Sequence, residues 1–234
     1  MLNYILNLIF PPRCIFCGSF LYADSDVCIC DGCYPRIPFM NTDYLSAGGE
    51  SILEEYCDSI ICLCEYTGII RESLKRYKFY NKPGYYRVFG KLLAEKIKKV
   101  TDFQKFDIII SVPLHRNRER IRGYNQSLLI SRVVGRELGI QECSWLLEKV
   151  KDTPSQSLLN RQKRESNIKD AFRVTFSDRV RDKSILLIDD ILTTGNTVNE
   201  CSRVLKQCGA RHVTAAVIAS GRKYQDRLKM GVNC

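Results

Sequence analysis

Two histidines in 234 residues leave little scope for a Ser-His-Asp relay, and no residue pattern suggests one. No apolar run approaches the roughly 20 residues that a membrane-crossing helix needs. Residues 1–10 are apolar, but no basic residue precedes them and Pro11-Pro12-Arg13 ends the run. This stretch reads as a short helix docking on the body rather than a signal segment, with no stable membrane insertion expected. No G-x-G-x-x-G occurs, which excludes the dinucleotide fingerprint, and no Gly-Lys-Ser/Thr closes a Walker loop. Internal repeats and low-complexity tracts are also missing.

What is present is a globular composition, 45% hydrophobic and 26% charged. Lysine and arginine exceed aspartate and glutamate by 36 − 26 = +10. That balance favours an anionic partner, either a phosphorylated small molecule or nucleic acid, without choosing between them. Twelve cysteines are many. Their spacing is not that of a small secreted disulfide scaffold, so a reducing cytoplasm is the expected setting.

Four of these cysteines form two C-x2-C pairs, Cys14/Cys17 and Cys30/Cys33, with Gly18 relieving the first turn. Each turn sets two thiolates on one side of a metal, and four thiolates complete a closed tetrahedral Zn²⁺ site. Such a site has no open position and is therefore structural. The segment holds little apolar material, so metal binding would supply its stability. Cys28 is a rival ligand, crowded beside Cys30 and Cys33. Residues 34–56, with Pro35, Pro38, Gly48 and Gly49, read as a linker. The chain divides accordingly into residues 1–56 (short helix, zinc module, linker) and residues 57–234. Residues 57–66 read as a strand, with Cys62 and Cys64 sharing one face as buried structural thiols.

Ile185-Leu186-Leu187-Ile188 reads as a buried parallel strand. Asp189-Asp190 follows, then Thr193-Thr194-Gly195-Asn196-Thr197, then a helix through Val198, Cys201 and Leu205 that Gly209 stops. Ligands of open α/β sheets sit beyond the carboxyl ends of strands. Unpaired N–H groups at a helix start, together with threonine hydroxyls, suit a phosphate. Two carboxylates just before that cradle suit the vicinal hydroxyls of a ribose whose 5′-phosphate lies in the loop.

Helices are expected over residues 69–80 and 84–100, from the stripes Ile70/Leu74/Tyr77 and Phe89/Leu92/Leu93/Ile97. Bases and aromatics interleave between them. Arg76, Lys78 and Lys82 are candidate single-strand contacts there, against the plainer reading of helix ends with core aromatics. A strand over 107–112 runs into Pro113-Leu114-His115, after which Arg116, Arg118, Arg120 and Arg122 alternate. Guanidinium forks match pyrophosphate oxygens, and a solvated basic loop is the alternative. A helix follows, ended by Gly139. Residues 144–150 suggest another strand, residues 152–172 a polar, basic lid, and residues 213–219 a closing strand.

The run from Ile188 to Thr197 resembles the 5-phosphoribosyl-1-pyrophosphate (PRPP) motif of type I phosphoribosyltransferases. Across nearly its whole length the chain is similar to the ComF family. That resemblance rests on the four cysteines, on Tyr77-Lys78-Phe79, and on Val112-Pro113-Leu114-His115. It rests also on Arg120-x-Arg122-Gly123-Tyr124-Asn125-Gln126, Gln156, Arg161, Asn167 and Ala171-Phe172. Further C-x2-C pairs of some relatives are missing here. The resemblance implies an open, mostly parallel α/β sheet flanked by helices, of type I phosphoribosyltransferase kind, with an N-terminal zinc ribbon. It implies PRPP as ligand with Mg²⁺ and Asp189 and Asp190 as the catalytic pair on the ribose hydroxyls. Residues 193–197 would hold the 5′-phosphate, and Pro113, Arg120, Arg122 and Arg161 the pyrophosphate or lid side. It implies a role in natural transformation, handling single-stranded DNA with DNA-uptake or helicase proteins, in the cytoplasm or at the inner membrane face. A non-catalytic PRPP sensor or a nucleic-acid binder on the same scaffold is the alternative.

Overall fold

The structure, a computed structural model, describes residues 11–21, 27–40, 45–46, 56–79, 84–153 and 168–221. In chain order its elements are β1 (Leu45–Ser46), β2 (Ser59–Glu65), α1 (Gly68–Phe79), α2 (Tyr85–Val100) and β3 (Ile108–Ser111). Then come α3 (Arg116–Arg122), α4 (Gln126–Leu138), β4 (Leu147–Lys149), β5 (Phe172–Val174), β6 (Ser184–Leu192), α5 (Asn196–Gln207) and β7 (His212–Ser220). The main sheet has the order β1-β2-β7-β6-β3, and β4 with β5 forms a separate antiparallel pair. Strands β2, β7, β6 and β3 are parallel, and only the edge strand β1 is antiparallel.

The apolar runs read from the sequence are buried on both faces, as a parallel sheet requires. Leu186, Ile188, Ile109 and Ile218 point into one layer with Ile70, Leu74, Phe89, Leu93, Ile130 and Val134 of α1, α2 and α4. Ile185, Leu187, Ile110 and Val217 point into the other with Val198, Cys201 and Leu205 of α5, and with Leu147 and Phe172 of the strand pair. The first layer also takes in Cys14, Phe16, Cys33 and Ile37, so the cysteine segment packs on the same core as the sheet. Helices α2 and α4 cross closely. A Cβ on Gly90 would lie 2.5 Å from Val133 Cβ, so only glycine fits that crossing. The expected stop at Gly139 is a left-handed residue, φ 68°.

Several boundaries differ from expectation. Strand β6 does not end at Ile188 but continues to Leu192, because Asp189 and Ile191 still pair with Val217 and Ala219 of β7. The carboxylates are therefore strand residues. The alternating arginines lie on helix α3, capped by His115 and ended by Gly123 at φ 85°, and not on a loop. Residues 144–146 form a 3₁₀ turn, and only residues 147–149 are strand. The linker of residues 34–56 contains a 3₁₀ turn, the short strand β1, and a bridge from Phe39 to Cys64. Cys62 and Cys64 are buried but do not share a cluster. Cys62 lies with Ile60, while Cys64 and its partner Ala219, at strand ends that twist out of layer register, pack with the opposite side.

Candidate functional site

Because β6 stays paired through the acid pair, its two carboxylates leave the strand in opposite directions. Asp189 Oδ1 accepts from Ser127 Oγ at 2.9 Å and from the Asp190 N–H at 2.9 Å. Ser127 stands in the first turn of α4, set there by Asn125, whose side chain accepts from the Ser127 N–H and donates to the Val112 carbonyl. Asp190 is only 6% exposed and pairs with Lys78 Nζ at 2.8 Å. Burial, and then the Asp190 charge, push Asp189 up to about 7, and Lys78 works against them.

Lys78 reaches this site because α1 is anchored one residue earlier. Tyr77 is fully buried, donates to the Gln126 carbonyl at 2.9 Å, and accepts at its own carbonyl from the Tyr124 hydroxyl. Residues two apart on a helix project about 200° apart. Arg76 and Lys78 therefore diverge by a large angle. Arg76 donates to the Phe16 carbonyl of the cysteine segment at 3.1 Å, while Lys78 turns to Asp190. Lys82 lies outside the described residues.

Beyond the acid pair, the chain enters α5 through Gly195, in the left-handed region at φ 77°, with no side-chain cap on the helix. The first turn of α5 thus follows directly on the loop Thr193–Thr197, and a helix start with its dipole is a place that suits an anion. Two buried amide nitrogens, Gln126 Nε2 and Asn196 Nδ2, have no hydrogen-bond partner among the described residues. Orphaned donors beside an acid pair and a helix start suit a polar, oxygen-rich ligand.

The helical geometry of α3 sorts the arginines. Arg118 and Arg122, four apart, share one half-buried side, whereas Arg116 and Arg120 are exposed. Arg118 donates to the Thr153 carbonyl and faces Asp152 at 3.8 Å. Arg122 donates to Gln126 Oε1 at 2.6 Å; burial lowers its pKa while the Asp190 charge supports its ionised form. Lys149 of β4 is half-buried, with its ammonium 5.5 Å from the Phe172 ring. Burial and Arg118 lower its pKa, and the charges of Asp152 and Asp189 act in the opposite sense. Pro113 is half-buried between β3 and α3, and Arg161 lies outside the described residues. Sequence reasoning missed Ser127, Arg118 as an inward residue, and Lys149. Only Arg118 carried a signal, its i, i+4 spacing to Arg122.

The second grouping is Cys14, Cys17, Cys30 and Cys33, whose sulfurs all lie within 4.8 Å of one another. The knuckles form as the spacing implies: the Gly18 N–H donates to the Cys14 carbonyl at 2.9 Å, and the Cys33 N–H to the Cys30 carbonyl at 3.0 Å. Cys28 is not part of the group. Four convergent thiols fit a tetrahedral metal ion such as zinc. Cys57, Cys62 and Cys64 are buried elsewhere, with burial pushing each thiol upward. Among the described residues, no helix is long and apolar enough to cross a membrane.

A family profile described as phosphoribosyl transferase domain matches residues 126–233, from the start of α4 through the acid pair and its loop. The chain is 29% identical over 218 residues to Competence protein F of Haemophilus influenzae, covering 87% of this chain and 95% of that protein. It is 30% identical over 157 residues to DNA utilization protein YhgH of Shigella flexneri, covering 66% of this chain and 68% of the other. With Competence protein ComFC of Streptococcus pneumoniae it shares 27% identity over 224 residues, 86% of this chain and 96% of that one.

Proposed function

The chain belongs to the ComF family of phosphoribosyltransferase-like proteins, and on that premise we propose that it binds PRPP and serves natural transformation by handling incoming single-stranded DNA. The observation that carries the PRPP reading is the acid pair at the end of β6, followed directly by the Thr193–Thr197 loop at the start of α5. Asp189 and Asp190 accept from the ribose 2′- and 3′-hydroxyls. The loop hydroxyls and N–H groups of residues 193–197 donate to the 5′-phosphate. Pro113, Arg122, Arg120 and Arg161, joined by Arg118, take the pyrophosphate side. The carboxylates of Asp189 and Asp190 are hard oxygen donors of the kind Mg²⁺ takes, and Mg²⁺ brought in with PRPP would neutralise the pyrophosphate charge. A reaction at the ribose C1′ would proceed through an oxocarbenium-like state that the site's charges stabilise, without a protein nucleophile.

The zinc module of residues 1–56 is structural in this reading, and residues 57–234 form the PRPP-binding unit. The protein acts in the cytoplasm, at the inner membrane face where DNA enters, beside DNA-uptake or helicase proteins. The ion pair that Asp190 makes with Lys78 engages one of the two carboxylates and favours a second reading, a PRPP sensor without turnover.

Calorimetric titration with PRPP and Mg²⁺, on wild type and on Asp189→Asn/Asp190→Asn, tests the site. Heat that disappears in the double variant is the expected result, and no binding by wild type sinks the proposal. Pyrophosphate release with candidate acceptors then separates enzyme from sensor.

A further inference from the structure

Two aromatic rings beside the cysteine segment, Phe20 exposed and Tyr86 half-buried, each carry an arginine. Phe20 is 63% exposed, and the Arg13 guanidinium lies 4.1 Å above its ring across a short antiparallel bridge. Tyr86, at the start of α2, has the Arg87 guanidinium 5.7 Å from its ring and accepts from Arg87 Nε at 3.2 Å. Arg87 also lies near Cys28. Arg76 of α1 donates to the Phe16 carbonyl of the same segment. Three arginines from three separate segments thus gather around the metal module, with two rings among them.

Single exposed apolar side chains are ordinary. A ring with a guanidinium on one face and solvent on the other is the unit that single-strand binders repeat, the base stacking on the ring and the cation meeting the backbone. The exposed aromatic pair Trp145 and Phe176 lacks this character. Its rings pack edge-to-face on each other at 5.5 Å, and Arg173 of the same strand pair is held by Glu148. We infer that the face formed by the cysteine segment and the adjoining ends of α1 and α2 is a stacking surface for single-stranded DNA, with Phe20/Arg13 and Tyr86/Arg87 as its two contact points. This rests on the DNA-handling reading above and gives it a location apart from the acid pair. Lys78, on the same turn as Arg76, belongs to the acid pair and not to this face.

The test is fluorescence anisotropy of a labelled oligothymidylate with the full chain. Variants are Phe20→Ala/Arg87→Ala, Arg87→Glu alone and Trp145→Ala, with zinc content measured for each. The double variant should bind about 10- to 100-fold more weakly. Its salt dependence should flatten by roughly 0.7 in log–log slope, since one phosphate is no longer neutralised. Trp145→Ala should bind like wild type. If the double variant loses zinc, Arg87→Glu, on an exposed helix position, carries the result with at least a tenfold loss. Binding by the double variant or Arg87→Glu within about twofold of wild type, or an equal loss in Trp145→Ala, overturns the surface while leaving DNA handling intact. No oligonucleotide binding by wild type overturns both. Phe20- and Arg87-dependent binding to phosphatidylglycerol vesicles in place of oligonucleotide assigns the face to a membrane and overturns the DNA assignment.

Discussion

Replacing Asp189 by asparagine should stabilise the protein at pH 8. Asp189 Oδ1 accepts two hydrogen bonds, from Ser127 and from the Asp190 N–H, and an amide oxygen keeps both. What the variant loses is a carboxylate charge that burial and Asp190 oppose, which is why this carboxyl holds its proton up to about pH 7. In the unfolded chain it releases that proton near pH 4. Between those values the folded state binds more protons, so this group contributes stability below about pH 4 that is lost as pH rises through 7. The gap corresponds to ~4 kcal/mol at most. That gap already includes the attraction to Lys78. Asparagine removes the loss but places an extra amide NH2 in a buried site, so we expect a net gain of about 2 kcal/mol at pH 8 and near parity at pH 5. Asp190→Asn should act in the opposite direction. It strands Lys78, now paired at 2.8 Å, and should cost about 2 kcal/mol at pH 8. Urea denaturation of wild type and both variants at the two pH values, at constant free zinc, reads both effects. An Asp189→Asn protein less stable than wild type at pH 8, or one with unchanged pH dependence, would refute the reasoning.

Three further outcomes are expected. Gly90→Ala brings its methyl against Val133 and should destabilise by about 1–3 kcal/mol despite alanine's better helix propensity; a neutral result in chemical denaturation would mean that α2 and α4 do not cross so closely. Cys14→Ser should abolish bound zinc, measured by atomic absorption, and lower the melting temperature, since Cys14 is both a ligand and part of the core; retained stoichiometric zinc would point to a different ligand set. Arg122→Ala should weaken PRPP binding about tenfold or more, and Arg120→Ala much less, because α3 turns only the first inward; the reverse ranking by calorimetry would contradict that facing.

Much of the fold and site was legible in short-range pattern. Apolar runs such as Ile185 to Ile188 mark strands because a parallel strand is covered on both faces, and Gly139 marks a helix end because its backbone is left-handed. The acid pair, the small-residue loop and the helix after it are contiguous, so their spacing already places carboxylates beside an anion cradle. The C-x2-C pairs likewise declare a four-thiol cluster, since each turn is local and only one closure is needed. Which arginines face inward is not legible in their alternation, because on helix α3 the four-residue step decides it. Asp189 and Asp190 were placed after the strand because nothing in their own sequence says how far β7 continues to pair.

The sequence by itself determined the elements whose causes lie within a few residues: strand, acid pair, cradle, helix stop and metal knuckle. Only the tertiary structure decided what stands opposite them. Ser127 reaches Asp189 across 62 positions of chain. Lys78 meets Asp190 because Tyr77 is buried beneath α4, and Arg76 turns to the metal module for the same reason. A side chain's partner across the chain is set by packing, which sums many weak contacts and leaves no local spacing to read.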